Sequence, residues 1–280
     1  MGHLLDKTML KTFREGLEEE EKAKTTIEKY MHDVEMFFRY AERTEEINKY
    51  TVIAYKGFLT DNYAASSVNS MLAAVNVFLK KMGWYDCVVK SLKIQKEAFR
   101  TREKDLTKEE YYRLLDAAKK KNNIRLYWIM QVLCATGIRV SELKYVTVES
   151  LNTGCAKVSS KGKRRTVLLP SVLCKKLRKY VREQQIRNGS IFVTRSGKPV
   201  DRSNICHDMK KLCAETGIFR GKVFPHNLRH LFALTYYKAK KDLSHLADLL
   251  GHSNVNTTRI YTLVSSEEQE RQIGVLGLVV

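Results

Sequence analysis

Pro225-His226-Asn227-Leu228-Arg229-His230 sets two histidines and an arginine three and four residues apart, so on a helix all three share one face. The histidine pair has the spacing of half a zinc site. However, Asn227 stands where a metalloprotease helix carries its glutamate, and no third ligand is evident. A second arginine, Arg139, lies in Ala135-Thr136-Gly137-Ile138-Arg139-Val140-Ser141-Glu142-Leu143, just past an apolar stretch. Taken alone it reads as a surface arginine paired with Glu142. His252 closes Leu249-Leu250-Gly251-His252, Tyr261 follows nine residues later, and Lys161 sits in the basic run Lys161-Gly162-Lys163-Arg164.

Two arginines, several histidines, a lysine and a tyrosine suit phosphoryl transfer without a metal ion. The transition state spreads negative charge over nonbridging oxygens, which guanidinium groups match with paired donors and a permanent charge. A phenol of pKa about 10 needs a base and a cationic surround to become a nucleophile, and the histidines can supply the base. The departing oxygen needs a proton, which a mobile lysine beside the phosphate can donate.

Helices must hold most of these groups. The N-terminal hundred residues predict four: around Thr8 to Leu17, from Thr25-Thr26 as caps through Ala41, from Ile47 to Leu59, and from Ser66-Ser67 as caps to Gly83. The run SLKIQKEAFRTREKD, between Lys90 and Asp105, lacks an apolar face and reads as a linker, placed at 98–105 between a helical domain, 1–97, and a second domain, 106–280. Thr107 and Glu110 have capping-box spacing, and Ile124 to Thr136 reads as an apolar helix stopped by Gly137. Strands at Ala156–Ser160 and Arg165–Leu169, joined by Lys161-Gly162-Lys163-Arg164, make a basic hairpin tip. Helices are then expected over Ser171–Gln185, Ser203–Thr216, His226–Ala239, Leu243–Leu250 and from Thr257 onward. The fold class is mainly α with a small β-hairpin, an α+β chain of two domains.

Charge points to the partner. The 280 residues carry net +19, with 16 basic against 15 acidic residues over 1–100 and 34 against 16 over 101–280. An excess of that size in the second part implies a polyanion, whose binding weakens steeply with salt as counterions are released. The composition excludes disorder and collagen, and no apolar run approaches the ~18 to 20 residues of a membrane span. Six cysteines without a CxxC pair read as reduced thiols of a cytoplasmic protein, and no secretion signal is visible.

The segments Ala135 to Leu143, His226-x-x-Arg229-His230, Leu250-Gly251-His252 and Tyr261, in this order and spacing, resemble the signature boxes of the tyrosine recombinase (phage-type integrase) family. The helical block at 25–83 is similar to that family's SAM-like core-DNA-binding domain. The resemblance implies a two-domain C-shaped clamp around double-stranded DNA. Arg139 and Arg229 would bind the scissile phosphate, Lys161 would be the general acid, with Lys163 a rival, and His226 the acid/base partner. His230 and Glu142 would support the site, His252 would bond the phosphate, and Tyr261 would be the nucleophile. The implied chemistry passes through a 3′-phosphotyrosine without cofactor, metal, ATP or small-molecule substrate. The family acts as a homotetramer on paired sites, and the apolar tail 273–280 is expected to dock on a neighbouring subunit, the alternative being its own domain. Too few residues precede the first helices for an extra arm-binding module, so simple target sites are expected. A type IB topoisomerase and a noncatalytic DNA-binding protein of the same fold are the competing readings.

Overall fold

The structure is a computed structural model that describes residues 2–42, 44, 46–94, 104–160, 163–252, 254–262, 271, 274 and 275. The chain divides into two compact units, 1–96 and 97–280. The expected linker, 98–105, falls mostly outside the described residues.

The N-terminal unit consists of α1 (Thr8–Glu19), α2 (Lys24–Ala41), α3 (Lys49–Asn62) and α4 (Ala65–Lys81). Their inward faces bury Phe13, Leu17, Val34, Phe37, Tyr55, Leu72, Val75 and Phe78, and Phe13 meets Phe78 edge-on at 5.4 Å. Each such side chain contributes about 1.5 to 3 kcal/mol of burial, and this packing sets the helix starts. Thr25-Thr26 and Ser66-Ser67, expected as caps, lie inside α2 and α4, which begin after Ala23 and Ala64 with no side-chain cap at all. Only α3 carries a capping box, between Asn48 and Thr51.

The C-terminal unit opens with α5 (Lys108–Lys120), where Thr107 and Glu110 form the expected capping box, and α6 (Ile124–Thr136), which stops at left-handed Gly137. A 3-10 turn (Val140–Tyr145) and α7 (Val148–Thr153) lead to an antiparallel hairpin, β1 (Cys155–Ser160) and β2 (Lys163–Leu168). Ser160 pairs with Lys163, so the connection is two residues rather than the expected four, and Leu169 lies past the strand. Then come α8 (Ser171–Glu183), α9 (Arg202–Lys211), α10 (Cys213–Thr216), α11 (Pro225–Lys240) and α12 (Leu243–Leu250). The single helix expected over 203–216 is broken at Leu212. The helix expected from Thr257 is two 3-10 turns, Val255–Thr257 and Arg259–Tyr261, and 263–270 lie outside the described residues.

In this unit α11 packs on α6 and on α12. A large core forms around Leu114, Ile129, Met130, Leu133, Ile138 and Leu228, and a smaller cluster of Ala233, Leu246, Leu250 and Tyr261 sits beside it. Among the described residues no helix is long and apolar enough to cross a membrane.

Candidate active site

The site assembles where α6 and α12 end. Four intrahelical acceptors are orphaned at any helix C-terminus, and the helix dipole makes them a negative pole. In α12 the left-handed Gly251 closes a Schellman motif, its N–H bonding Asp248 O at 2.9 Å and the His252 N–H bonding Ala247 O at 2.9 Å. The three carbonyls that follow are capped by three arginines from three elements. Arg165 Nη1 donates to Leu249 O at 2.9 Å, Arg229 Nη2 to Leu250 O at 2.7 Å, and Arg139 Nη2 to Gly251 O at 3.2 Å. Arg229 Nη1 also donates to Gly137 O, so one guanidinium spans the ends of both helices.

Gly137 and Gly251 have physical reasons to be glycine here. Both have positive φ, 62° and 63°. A Cβ on Gly137 would stand 2.4 Å from the Phe232 ring, and one on Gly251 would stand 2.4 Å from Arg165 Cδ. The Thr-Gly-Ile-Arg and Leu-Gly-His segments are therefore the places where chains approach too closely for a side chain.

Arg229 is 2% exposed and Glu142 1%. Glu142 offsets one of the cluster's three positive charges. It accepts from the Arg139 N–H at 2.9 Å, from Arg139 Nη1 at 3.1 Å and from Arg165 Nη2 at 2.7 Å. Burial alone would raise its carboxyl, but the Arg139 N–H and the two guanidiniums overcome that and hold it below the usual carboxylate range. Burial and the neighbouring Arg139 bring Arg229 down to about 10, which leaves it charged at neutral pH. Arg139, with 38% of its side chain exposed, presents the accessible guanidinium. The local Arg139–Glu142 pair read from sequence is present, and it is part of the larger cluster.

The remaining groups follow along α11 and past α12. Pro225 at the first turn pre-sets the helix that carries His226, Arg229 and His230. The His226 and His230 rings meet edge-on at 4.5 Å, and His230 meets Tyr261 at 5.3 Å. Tyr261 is buried among Ala233, Leu246 and Leu250. His252 is bonded on both ring nitrogens, Nε2 to Arg229 Nη2 at 3.0 Å and Nδ1 to Thr258 Oγ1 at 2.8 Å. Desolvation, then Arg229, Arg139 and Arg165, lower His252 to about 4. Desolvation and the guanidiniums of Arg229, Arg202 and Arg139 also hold solvent-accessible His226 below the usual histidine range.

The structure thus brings together Arg139, Glu142, His226, Arg229, His230, His252 and Tyr261. Lys161 lies outside the described residues, and Lys163 is placed only as the first residue of β2. Arg165 was missed in the sequence, where it merges with a basic tip; strand alternation was the available signal. Among the described residues of this unit, no three His, Cys, Asp or Glu side chains could share a metal ion. The one such group, His3, Asp86 and Cys87, belongs to the N-terminal unit, where His3 bonds Asp86 at 3.2 Å and stacks on Trp84.

Residues 104–268 match the description of the phage integrase family, and residues 10–83 match the phage integrase N-terminal SAM-like domain. The chain belongs to the phage integrase family. As a tyrosine recombinase of that family it is an enzyme of site-specific DNA recombination. The recombinase is similar to tyrosine recombinase XerA of Pyrococcus furiosus, 28% identical over 277 residues, covering 95% of this chain and 92% of that protein. It is 35% identical to XerH of Campylobacter jejuni over 167 residues, 56% of this chain and 47% of that protein. It shares the fold of XerH bound to a palindromic difH substrate in a post-cleavage complex, with a TM-score of 0.72 at 20% identity over 89% of this chain and 79% of that one.

Proposed function

We propose that this recombinase binds double-stranded DNA and cuts each strand by attack of the Tyr261 hydroxyl on a phosphodiester. The Tyr261 oxygen forms a bond to phosphorus, the bond to the 5′ oxygen breaks, and a 3′-phosphotyrosine and a free 5′ hydroxyl result. His226, whose lowered pKa leaves it neutral at pH 7, takes the phenol proton, directly or through His230. Lys161 delivers a proton to the departing oxygen. Arg139 and Arg229 hold the nonbridging oxygens, and His252 bonds one of them. The ester retains the energy of the broken bond, so rejoining by a partner strand's hydroxyl needs no ATP or metal.

The observation that carries this reading is the convergence of two arginines, three histidines and a buried tyrosine at the ends of α6 and α12. The +18 balance over 101–280 supports DNA as the partner, as do the DNA-bound structures of XerH and lambda integrase that share the fold. Residues 1–97 then form the core-DNA-binding domain, 98–105 the linker and 106–280 the catalytic domain. Tail residues 273–280, mostly outside the described residues, dock in trans to make a homotetramer on paired sites in the cytoplasm. The Xer relatives favour recombination over topoisomerase-like relaxation.

The test uses a nicked suicide duplex whose sequence is selected from a random DNA library by the wild-type protein. Wild type should give a covalent protein–DNA band on a denaturing gel. Tyr261→Phe should bind the duplex with similar affinity and give none; an undiminished band would remove Tyr261 as the nucleophile.

A further inference from the structure

The residue before β2's first buried valine on the same face is an arginine. In the hairpin register Ala156 pairs with Val167 and Val158 with Arg165, so these four side chains share a face. Ala156, Val158 and Val167 are buried in the core, and Arg165 continues the face toward the tip. Arg164, one residue earlier, points the other way and is exposed. The Arg165 side chain is 16% exposed, and its two Nη atoms bridge Glu142 Oε2 and Leu249 O. Through Glu142 it reaches Arg139, and through the end of α12 it reaches the turn that carries His252. Its Nε is buried without a hydrogen-bond partner among the described residues, a desolvation cost that argues for position over stability. Gly251 leaves the space that the Arg165 stem occupies. A second tie, from Tyr145 Oη to Ser159 O at 2.7 Å, holds the opposite strand to the 3-10 turn that follows Arg139.

We propose that Arg165 is a positioning residue for strand cleavage: it fastens the hairpin to the arginine–carboxylate cluster so that the tip lysine stands at the scissile phosphate. This rests on the reading of Lys161 as general acid. Arg165 lies two ladder pairs from the two-residue turn that bears Lys161, and among the described side chains of the hairpin's inner face it is the one that bonds the charged cluster. A two-residue connection takes its register from the last fixed contact before it. Here that contact is a guanidinium fork rather than an apolar side chain, so the hairpin is indexed to the same carboxylate that orients Arg139.

The test separates leaving-group protonation from every other part of the reaction. Single-turnover cleavage is measured on the selected suicide duplex with an ordinary bridging 5′ oxygen and with sulphur in its place. A thiol of pKa about 8.5 departs as the thiolate without a donated proton, so a fault in the general acid matters little there. Arg165→Met, which retains most of the stem, should slow the oxygen substrate about 10²-fold, the low end of a general acid's contribution. Its sulphur substrate should react at close to the wild-type rate, the pattern expected of Lys161→Ala. Arg139→Ala should be slow on both. Arg165→Lys, which retains charge and volume, is read on the same pair and should show a smaller oxygen defect with the same sulphur rescue. Wild-type cleavage of both duplexes establishes the reaction independently of Arg165. Equal impairment of Arg165→Met or Arg165→Lys on the two substrates, or no impairment on oxygen, would overturn the positioning role.

Discussion

Arg229 Nη2 and His252 Nε2 stand 3.0 Å apart, and because a guanidinium nitrogen only donates, the imidazole nitrogen accepts. Nδ1 then carries the proton of the neutral ring and donates it to Thr258 Oγ1 at 2.8 Å. His252 is thus held neutral, in one tautomer, with its lone pair turned toward the buried arginine. A phosphate oxygen entering between the two takes the arginine's donor and favours the protonated imidazole, which can then donate to it.

Stability should record this neutral histidine. With a folded pKa of about 4 against 6.5 in its ordinary state, His252 binds a proton in the unfolded chain but not the folded one between those pH values. Its contribution is present at neutral pH and is lost as pH falls through that window. Urea unfolding from pH 7 to pH 4 should show wild type losing more stability than His252→Asn, and a pH-independent difference between them would contradict the arrangement.

Glu142 is the only carboxylate bonded to Arg139 and Arg165 among the described residues. Glu142→Gln keeps the shape but leaves two partly buried cations uncompensated, and should cost about 1 to 3 kcal/mol. The urea midpoint should fall at unchanged m. An unchanged midpoint would mean that the carboxylate does not hold the cluster together.

Gly137 and Gly217 share a left-handed backbone, at φ 62° and 64°, but differ in surroundings. A Cβ on Gly217 meets open space, whereas one on Gly137 runs into Phe232 and Leu250. Gly217→Ala should cost about 1 kcal/mol from backbone strain alone. Gly137→Ala should cost clearly more in thermal unfolding and slow DNA cleavage, since it separates the two helix ends that Arg229 spans. Equal effects of the two substitutions would argue against the close approach.

Local rules were legible where a side chain near in sequence decides the geometry. The Thr107–Glu110 box, the stop of α6 at Gly137, and the bounds of α12 all follow from neighbours within a few residues. They failed where tertiary packing decides. Thr25, Thr26, Ser66 and Ser67 look like caps, yet α2 and α4 begin earlier because buried apolar faces set their length. The site residues were readable because their spacing is a chemical pattern. Arg165 was not, because Arg164 and Arg165 are alike in composition and only alternation against buried Val167 tells which one faces the core. In the three-arginine cap on Leu249, Leu250 and Gly251, Arg165 and Arg139 reach carbonyls more than 80 residues away and Arg229 one 21 residues away, distances that no local rule covers.

The most direct measurement is the identity of the residue that becomes joined to DNA. The covalent complex formed on the suicide duplex is digested with nuclease and protease, and the peptide bearing the residual nucleotide is sequenced by mass spectrometry. The modification is expected on Tyr261, on a peptide ending in a 3′-linked nucleotide. A nucleotide on any other residue, or no covalent peptide from wild-type protein that binds and cuts the duplex, would contradict a phosphotyrosine mechanism at this site.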